Sequence, residues 1–192
     1  MLVFRFGKTC FKIDFSFAAV IAIYIYLCRY NFGDLCLYAL LCHEMGHIMV
    51  ITFLGVEIHE ITLYGAGIRL SCDLNVLTTG KRRIVYLAGC ATNLLMTSVS
   101  FLLKAYDFAA VNAVMCFFNL LPVGEQDGAL FLRSFLLKRF EADVCERLAD
   151  MVQISVCVML IISSLCCYNS FSITLLTTAL YLAVIIVSAY RK

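Results

Sequence analysis

Six apolar segments, separated by short polar stretches, dominate the hydrophobic pattern of this chain. They run over about 15–28, 35–54, 84–103, 108–122, 151–168 and 171–190. Several approach the roughly 20 residues that a helix needs to cross the hydrocarbon core of a bilayer. The pattern therefore predicts an α-helical multi-pass membrane protein with about six transmembrane helices.

Two short stretches outside these segments alternate apolar and polar positions instead. Residues 56–72 alternate on both sides of Gly65-Ala66-Gly67, and a weaker alternation surrounds Gly7-Lys8 near the N-terminus. Period-two alternation around a glycine turn is typical of a β-hairpin. We therefore expect small β-hairpin elements at 56–72 and near the N-terminus.

Everything outside the apolar segments is loop-sized, so a single membrane domain over 1–192 is predicted. Its core, about 34–130, is expected to carry the functional site. The spans at about 15–28, 151–168 and 171–190 are then accessory. A further helix over 129–150 is expected to start at the membrane surface.

Composition and charge agree with this prediction. The chain is 63% hydrophobic, has one proline and no tryptophan, and carries a net charge of only +2, so nucleic acid is not expected as a partner. Only Arg29 and Lys104 lie in the short connections after the first, third and fifth segments. All other basic residues lie at the termini, in 55–83 and in 123–150. The positive-inside rule then places both termini in the cytoplasm, which requires an even number of spans.

The eleven cysteines form no C-x-x-C pair, and most of them lie inside apolar runs. This distribution does not indicate a structural zinc site or a disulfide framework. We therefore interpret the cysteines as small apolar residues that fill space between helices.

His43-Glu44-Met45-Gly46-His47 lies in the middle of the second apolar segment. The H-E-x-x-H spacing places two imidazoles one helical turn apart, so both can bind one zinc ion. Glu44 lies beside the metal and can take a proton from zinc-bound water. The alternative is that the two histidines have only a structural role and are hydrogen-bonded within a helix bundle. Three ionisable groups at the middle of a membrane are costly, which favours the functional interpretation.

A catalytic zinc ion usually has three protein ligands and a position for water. His59 and several acids, among them Glu125, are available for the third position. The best candidate is Asp127, because Pro122 ends the regular helix and the irregular backbone beyond it can turn toward the metal. The alternatives are that Asp127 is an ordinary turn residue before Gly128 and that His59 is a surface residue.

The H-E-x-x-H motif in an apolar span, combined with N-x-x-P-x-x-x-x-D-G over 119–128, resembles the site-2 protease family of intramembrane zinc metalloproteases. The compact six-span layout is similar to the sporulation-type branch, which releases a membrane-tethered sigma-factor precursor. The resemblance covers about 5–130. It implies one zinc ion per chain with His43, His47 and Asp127 as ligands. Glu44 would be the general base.

The resemblance also implies roles for residues around these motifs. Asn119 and Pro122 would shape the substrate-binding region, and Gly128 completes the same motif. Residues 88–93 are similar to the family's A-G-P-x-x-N stretch, with Cys90 where proline is common. Gly89 and Asn93 are expected first to form a close-packing surface with an interhelical hydrogen bond. The alternative for Asn93 is a role near the active site.

The predicted function is thus cleavage of a membrane-tethered protein within or near its transmembrane segment. The 56–72 hairpin matches the membrane-associated sheet of the family, which is thought to receive substrate as an added strand. Expected partners are this substrate, the lipid bilayer, and either a membrane regulatory protein or a second copy of the chain.

Two other functions compete with this prediction. Gly124-Glu125-Gln126 departs from the apolar, proline-containing stretch that is frequent in the family. This departure motivates the alternative of a catalytically inactive relative that binds membrane partners. A zinc transporter is disfavoured because the first, fifth and sixth segments offer almost no ionisable residues.

Overall fold

The computed structural model describes residues 1–7, 9–27, 32–65 and 67–166. The chain divides into two compact units, Met1–Phe117 and Phe118–Lys192, and each unit is described by itself. The described elements, in chain order, are β1 (Leu2–Phe6), β2 (Thr9–Ile13), α1 (Phe15–Leu27), α2 (Phe32–Phe53), β3 (Ile58–Tyr64), β4 (Gly67–Cys72), a short 3-10 helix (Leu74–Val76), α3 (Thr79–Leu102), α4 (Tyr106–Leu120), α5 (Asp127–Leu136) and α6 (Ala142–Cys166).

The strands form one four-stranded sheet in the order β1-β2-β3-β4. Both predicted hairpins are present, because β1 pairs antiparallel with β2 and β3 pairs antiparallel with β4. Gly7 adopts φ +60° between the first two strands, a conformation that favours glycine. The alternation did not predict that the hairpins join through parallel pairing of β2 with β3. That pairing is a tertiary contact, since α1 and α2 lie between the two strands in sequence.

Alternation gives the hairpin of β1 and β2 an apolar face and a more polar one. On the apolar face, the rings of Phe4 and Phe11 stack across the strand pair with centroids 5.2 Å apart. On the opposite face, Lys12 Nζ lies 2.6 Å from a carboxylate oxygen of Glu60 in β3. The Thr62 hydroxyl donates to the same carboxylate at 2.8 Å. The Lys12–Glu60 pair crosses the β2–β3 junction, where the two hairpins meet, and the Thr62 bond holds Glu60 from within β3.

The contact between α2 and α3 is the most extensive helix–helix contact in the first unit. Small residues line it, since Gly46 of α2 lies against Ala88 of α3 and Gly89 of α3 lies against α2. A cluster of buried residues links this helix pair to the sheet and consists of Ile51, Val56, Leu77 and Val85, with Ile58, Leu70 and Cys72 of β3 and β4 packed against it. The sheet is therefore attached to the end of α2 and the start of α3.

Two of the described helices are long and apolar enough to cross a membrane, namely 34–53 within α2, and α3. Helix α4 is a shorter apolar helix, and α1 has 13 residues, or about 20 Å at the rise of an α-helix. The predicted segment 171–190 lies outside the described residues. The count of six spans therefore stays a prediction.

Two helix boundaries differ from those that the apolar pattern suggests. Helix α3 begins at Thr79, five residues before the apolar segment at 84, so the basic residues Lys81, Arg82 and Arg83 lie in its first turns. The expectation of one helix over 129–150 was wrong, because α5 ends at Leu136 and α6 begins at Ala142. Residues 137–141 include good helix formers, so local propensity did not reveal this break.

The Lys12–Glu60 pair predicts an acid-sensitive β2–β3 junction. Its hydrogen bond to Lys12 lowers the pKa of Glu60 below the ordinary 4.5, and the bond from Thr62 adds to this effect. The same Glu60 bond raises the pKa of Lys12 above 10.5. A carboxyl whose pKa falls on folding stabilises the fold above its unfolded pKa, and this stabilisation is lost as pH falls through the folded pKa. The stabilisation that Lys12 contributes is instead lost as pH rises through its raised pKa.

We therefore expect Glu60→Gln to speed amide hydrogen exchange in β2 modestly at pH 7, and not at a pH below the lowered pKa of Glu60. The effect should be small because partly exposed ion pairs contribute little to stability. Glu146→Gln, at an exposed position of α6, is the charge control. If Glu60→Gln changed amide exchange equally at both pH values, the stabilising role of the Lys12–Glu60 pair would be contradicted.

Candidate metal centre

His43 and His47 lie on the buried side of α2, one helical turn apart. Their residues are 4% and 8% exposed, respectively. Their Nε2 atoms are 3.3 Å apart, and the ring planes meet at 74°. The structure therefore brings both predicted imidazoles together, edge to face, with one nitrogen of each ring directed at the same small region.

A backbone carbonyl orients His47. The Nδ1 atom of His47 lies 2.9 Å from the carbonyl oxygen of Val85 in α3. A carbonyl only accepts, so Nδ1 carries the proton and donates it. In the neutral ring Nε2 then carries a lone pair instead of a proton, as a metal ligand requires. A ligating histidine commonly donates its other ring N–H to a carbonyl or carboxylate in this way.

Two glycines allow α2 and α3 to approach at this point. A Cβ atom added at Gly89 would lie 2.6 Å from Nε2 of His43 and would also collide with Nε2 of His47. A Cβ atom at Gly46 would lie 2.7 Å from the carbonyl oxygen of Ala88 and would collide with the hydroxyl of Thr92. The glycine in each helix thus faces the other helix, and Gly89 forms the floor beneath both imidazoles.

Asn93 lies one turn beyond Gly89 on α3 and is 0% exposed. The interhelical hydrogen bond expected for it is not formed, because neither polar atom of its side chain has a hydrogen-bond partner among the described residues. Buried amides nearly always have hydrogen-bond partners, so the Asn93 side chain is exceptional among the buried polar groups. Its neighbour Thr92 is satisfied within α3, where its hydroxyl donates to the Ala88 carbonyl oxygen at 3.0 Å.

Cys90 is a neighbour of His43 that the sequence motifs did not predict. It is 4% exposed, and its Sγ lies within 4.8 Å of a ring nitrogen of His43. Its sulfur also donates to the carbonyl oxygen of Cys116 in α4 at 3.9 Å. The available signal was its position directly after Gly89, in the stretch where the resemblance has proline. Treating all cysteines as apolar filler hid that signal.

The other predicted residues of the first unit occupy the following positions. Glu44 follows His43 on α2 and is partly buried. His59 is exposed on β3, beside the irregularity between Ile58 and Glu60, which agrees with a surface histidine.

The predicted motif residues of the second unit lie around the start of α5. Asn119 is in the last turn of α4, which ends at Leu120, two residues before Pro122. Asp127 is the first residue of α5 and is partly buried. Gly128 is buried, and a Cβ atom there would collide with the carbonyl oxygen of Leu120. The glycine therefore lets α5 begin directly against the end of α4.

The departing stretch Gly124-Glu125-Gln126 forms an ordered turn. Gly124 adopts φ +63°, and its backbone N–H donates to Oε1 of Gln153 in α6 at 3.2 Å. The Gln153 amide nitrogen in turn donates to Asp150 at 2.7 Å. Beside this turn, Val123 is 1% exposed and packs with Cys157. A buried polar network thus holds the backbone that leads to Asp127.

The donors present in the first unit suit zinc. Imidazole nitrogen and cysteine sulfur are the ligands that zinc prefers, whereas calcium and magnesium prefer oxygen. The fixed tautomer of His47 and the missing side chain at Gly89 are the features that a pair of ligating imidazoles requires. The histidine pair therefore fits a zinc ion.

Comparisons with known proteins show a likeness to solved structures and to no family model. No protein-family model matches this chain, and no curated protein matches it. Among solved structures, the chain is similar to a site-2 protease from Methanocaldococcus jannaschii, with a TM-score of 0.67 and 21% sequence identity, over 94% of this chain and 91% of that chain. At this identity the likeness shows the fold, a mostly helical arrangement with a small sheet.

A methyl group at position 89 tests the helix contact beneath the imidazoles. We expect Gly89→Ala to destabilise the protein by about 1–3 kcal/mol, the usual cost of overpacking, and to weaken zinc binding because both rings must move. Gly80→Ala is the matched control, since nothing lies within 4 Å of a Cβ atom there. The measurements are the unfolding midpoint in mild detergent and the zinc affinity. Identical behaviour of the two variants would contradict the close approach.

Proposed function

We propose that this protein is an intramembrane zinc metalloendopeptidase that cleaves a membrane-tethered protein within or near its transmembrane segment. The observation that carries the proposal is the buried histidine pair, with Nε2 atoms 3.3 Å apart, on a helix long and apolar enough to cross a membrane. Glu44 lies directly beside this pair in sequence. The fold shared with a structure described as a site-2 protease supports the same class of reaction.

The exposed surface of α2 and α3 supports a position within the bilayer. Phe53 is 90% exposed and Leu102 is 80% exposed, and Met45, Leu94 and Leu95 are each at least half exposed. Apolar surface of this extent is unfavourable in water, whereas lipid solvates it well. We propose a multi-pass protein of the bacterial cell membrane with both termini in the cytoplasm, as the distribution of basic residues predicts.

We assign the metal ligands to His43, His47 and Asp127, with one zinc ion per chain. A bound zinc ion would supply a Lewis acid that polarises a peptide carbonyl and lowers the pKa of water. The Val85 carbonyl keeps His47 in the tautomer that can bind the ion. Asp127 is partly buried at the first position of α5, and the turn held by Gln153 fixes the backbone before it.

Glu44 is the proposed general base. Its carboxylate would accept a proton from the attacking water and return it to the nitrogen of the leaving amine. Asn119, Pro122 and Gly128 would shape the substrate-binding region around Asp127. The Asn93 amide has both a donor and an acceptor to spare, which suits hydrogen bonding to an extended peptide backbone.

The substrate has to be extended at the cleavage position, because the peptide groups of a helix are shielded by their own hydrogen bonds. Strand β4 lies at an edge of the sheet, where its outer backbone groups are available for pairing. We propose that this edge receives the substrate as an added strand. The packing of β3 and β4 against the ends of α2 and α3 gives that edge a defined position within the first unit.

At a finer level, we propose that the substrate is a membrane-tethered precursor of the kind that the sporulation-type branch releases. A membrane regulatory protein or a second copy of this chain would be a further partner. The inactive relative remains the alternative function. That alternative was motivated by the unusual stretch at 124–126. The hydrogen bond that holds the backbone of this turn weakens the motivation.

Glu44→Gln tests the base. We expect turnover to fall at least about 100-fold, because general base catalysis contributes on this scale, while zinc content stays unchanged. Glu141→Gln, at an exposed position, is the matched control and should retain activity. The measurement compares membrane-tethered fragments in cells that carry each variant, and a precursor should accumulate only with Glu44→Gln. Cleavage by that variant at the wild-type rate would contradict the role of Glu44.

Asp127→Asn tests the third ligand. Loss of outer-shell partners already weakens metal binding by about 10–100-fold, so we expect loss of a direct ligand to lower zinc affinity by at least about 100-fold. Asp143→Asn, in the exposed first turn of α6, is the control and should bind zinc normally. Zinc affinity is measured by competition with a chelator. Wild-type protein without stoichiometric zinc would favour the inactive relative.

A further inference from the structure

The Cys90 sulfur lies close to a ring nitrogen of His43, and in the sequence only its position directly after Gly89 marks it. Its sulfur is within 4.8 Å of a ring nitrogen of His43, and the residue is 4% exposed. Gly89, which contacts both imidazoles, immediately precedes it. We propose that the Cys90 sulfur is a ligand of the metal ion that His43 and His47 hold. This inference rests on the proposed metal centre.

The separation of the two atoms is compatible with shared coordination. Zinc binds sulfur at about 2.3 Å and imidazole nitrogen at about 2.0–2.1 Å, so two such ligands at a tetrahedral angle are roughly 3.6 Å apart. The upper bound of 4.8 Å exceeds this value by about 1 Å, which a small side-chain adjustment removes. The two donors come from neighbouring helices whose contact is fixed by Gly46 and Gly89.

The hydrogen bond from the Cys90 sulfur to α4 is weak. Cys90 Sγ donates to the Cys116 carbonyl oxygen at 3.9 Å, and thiols are weak donors. The reverse contact, from Cys116 Sγ to the Cys90 carbonyl oxygen, is shorter at 3.4 Å and does not involve the Cys90 sulfur. The Cys116 carbonyl therefore does not prevent coordination by the Cys90 sulfur, and Cys116 keeps its own hydrogen bond between α3 and α4.

This ligand changes what the centre can do. His43, His47 and Cys90 supply three donors from the first unit alone, so the centre can load metal without the second unit. With the proposed Asp127 the set has four protein donors, which is the number that closed structural zinc sites use. Access of water to the centre would then depend on one donor moving away, and the thiol is the donor that the resemblance does not require.

Cobalt substitution of the full-length protein in detergent tests this inference independently of activity. Thiolate bound to Co²⁺ gives an intense charge-transfer band in the near ultraviolet, whereas imidazole and carboxylate ligands do not. We expect this band in the wild type and in Cys116→Ser, the matched control. It should be lost in Cys90→Ser, with Co²⁺ affinity lowered at least about tenfold.

A bound Co²⁺ ion without the charge-transfer band in the wild type would overturn the role of Cys90 and leave the proposed protease intact. A band that persists in Cys90→Ser would also overturn it, because another cysteine would then be the source. Wild-type protein that binds no metal would instead overturn the metal centre itself. If Cys90→Ser fails to fold, X-ray absorption of the wild-type zinc protein decides the question, since the inference requires a Zn–S distance of about 2.3 Å.

Discussion

The close approach of α2 and α3 is the constraint on which the rest of the first unit depends. It is possible because Gly46 and Gly89 have no side chains, and a methyl group at either position would collide with the opposite helix. Buried imidazoles are costly in apolar surroundings unless hydrogen bonds compensate them. Because the helices are so close, the Val85 carbonyl reaches His47 and provides that compensation.

The same contact connects the sheet to the histidines. Val85 contributes its side chain to the cluster that packs against Ile58 and Leu70, and its carbonyl to His47. A shift of the sheet that moved this residue would therefore also move the hydrogen-bond acceptor of a proposed ligand. The strand edge proposed to bind substrate and the acceptor that orients the imidazole thus belong to neighbouring parts of one packed cluster.

The second unit shows how a departure from a family pattern can be stabilised locally. The resemblance raised doubt about 124–126, because polar and flexible residues stand where apolar residues and prolines are frequent. In the structure the Gln153 amide holds the backbone of Gly124, and Asp150 holds Gln153. The stretch is an ordered lead into α5, so its composition alone does not indicate loss of function.

Much of the architecture is determined by local sequence. Period-two alternation identified both hairpins, and apolar segments identified α2, α3 and α4, because each element buries or exposes its own residues with a characteristic period. The H-E-x-x-H spacing likewise placed two imidazoles one turn apart, since four residues of any helix do so. Helix ends that lie in polar sequence were harder to predict, as the start of α3 and the break between α5 and α6 show.

Only the tertiary structure decided which elements meet. The parallel pairing of β2 with β3 joins residues about fifty positions apart, and no local pattern encodes it. The carbonyl that orients His47 and the sulfur beside His43 both come from α3, which follows α2 in sequence after both strands of the second hairpin. Periodicity tells which face of a helix is buried, whereas the neighbour of that face depends on packing of the whole unit. This is why the histidines were visible in the sequence and Cys90 was not.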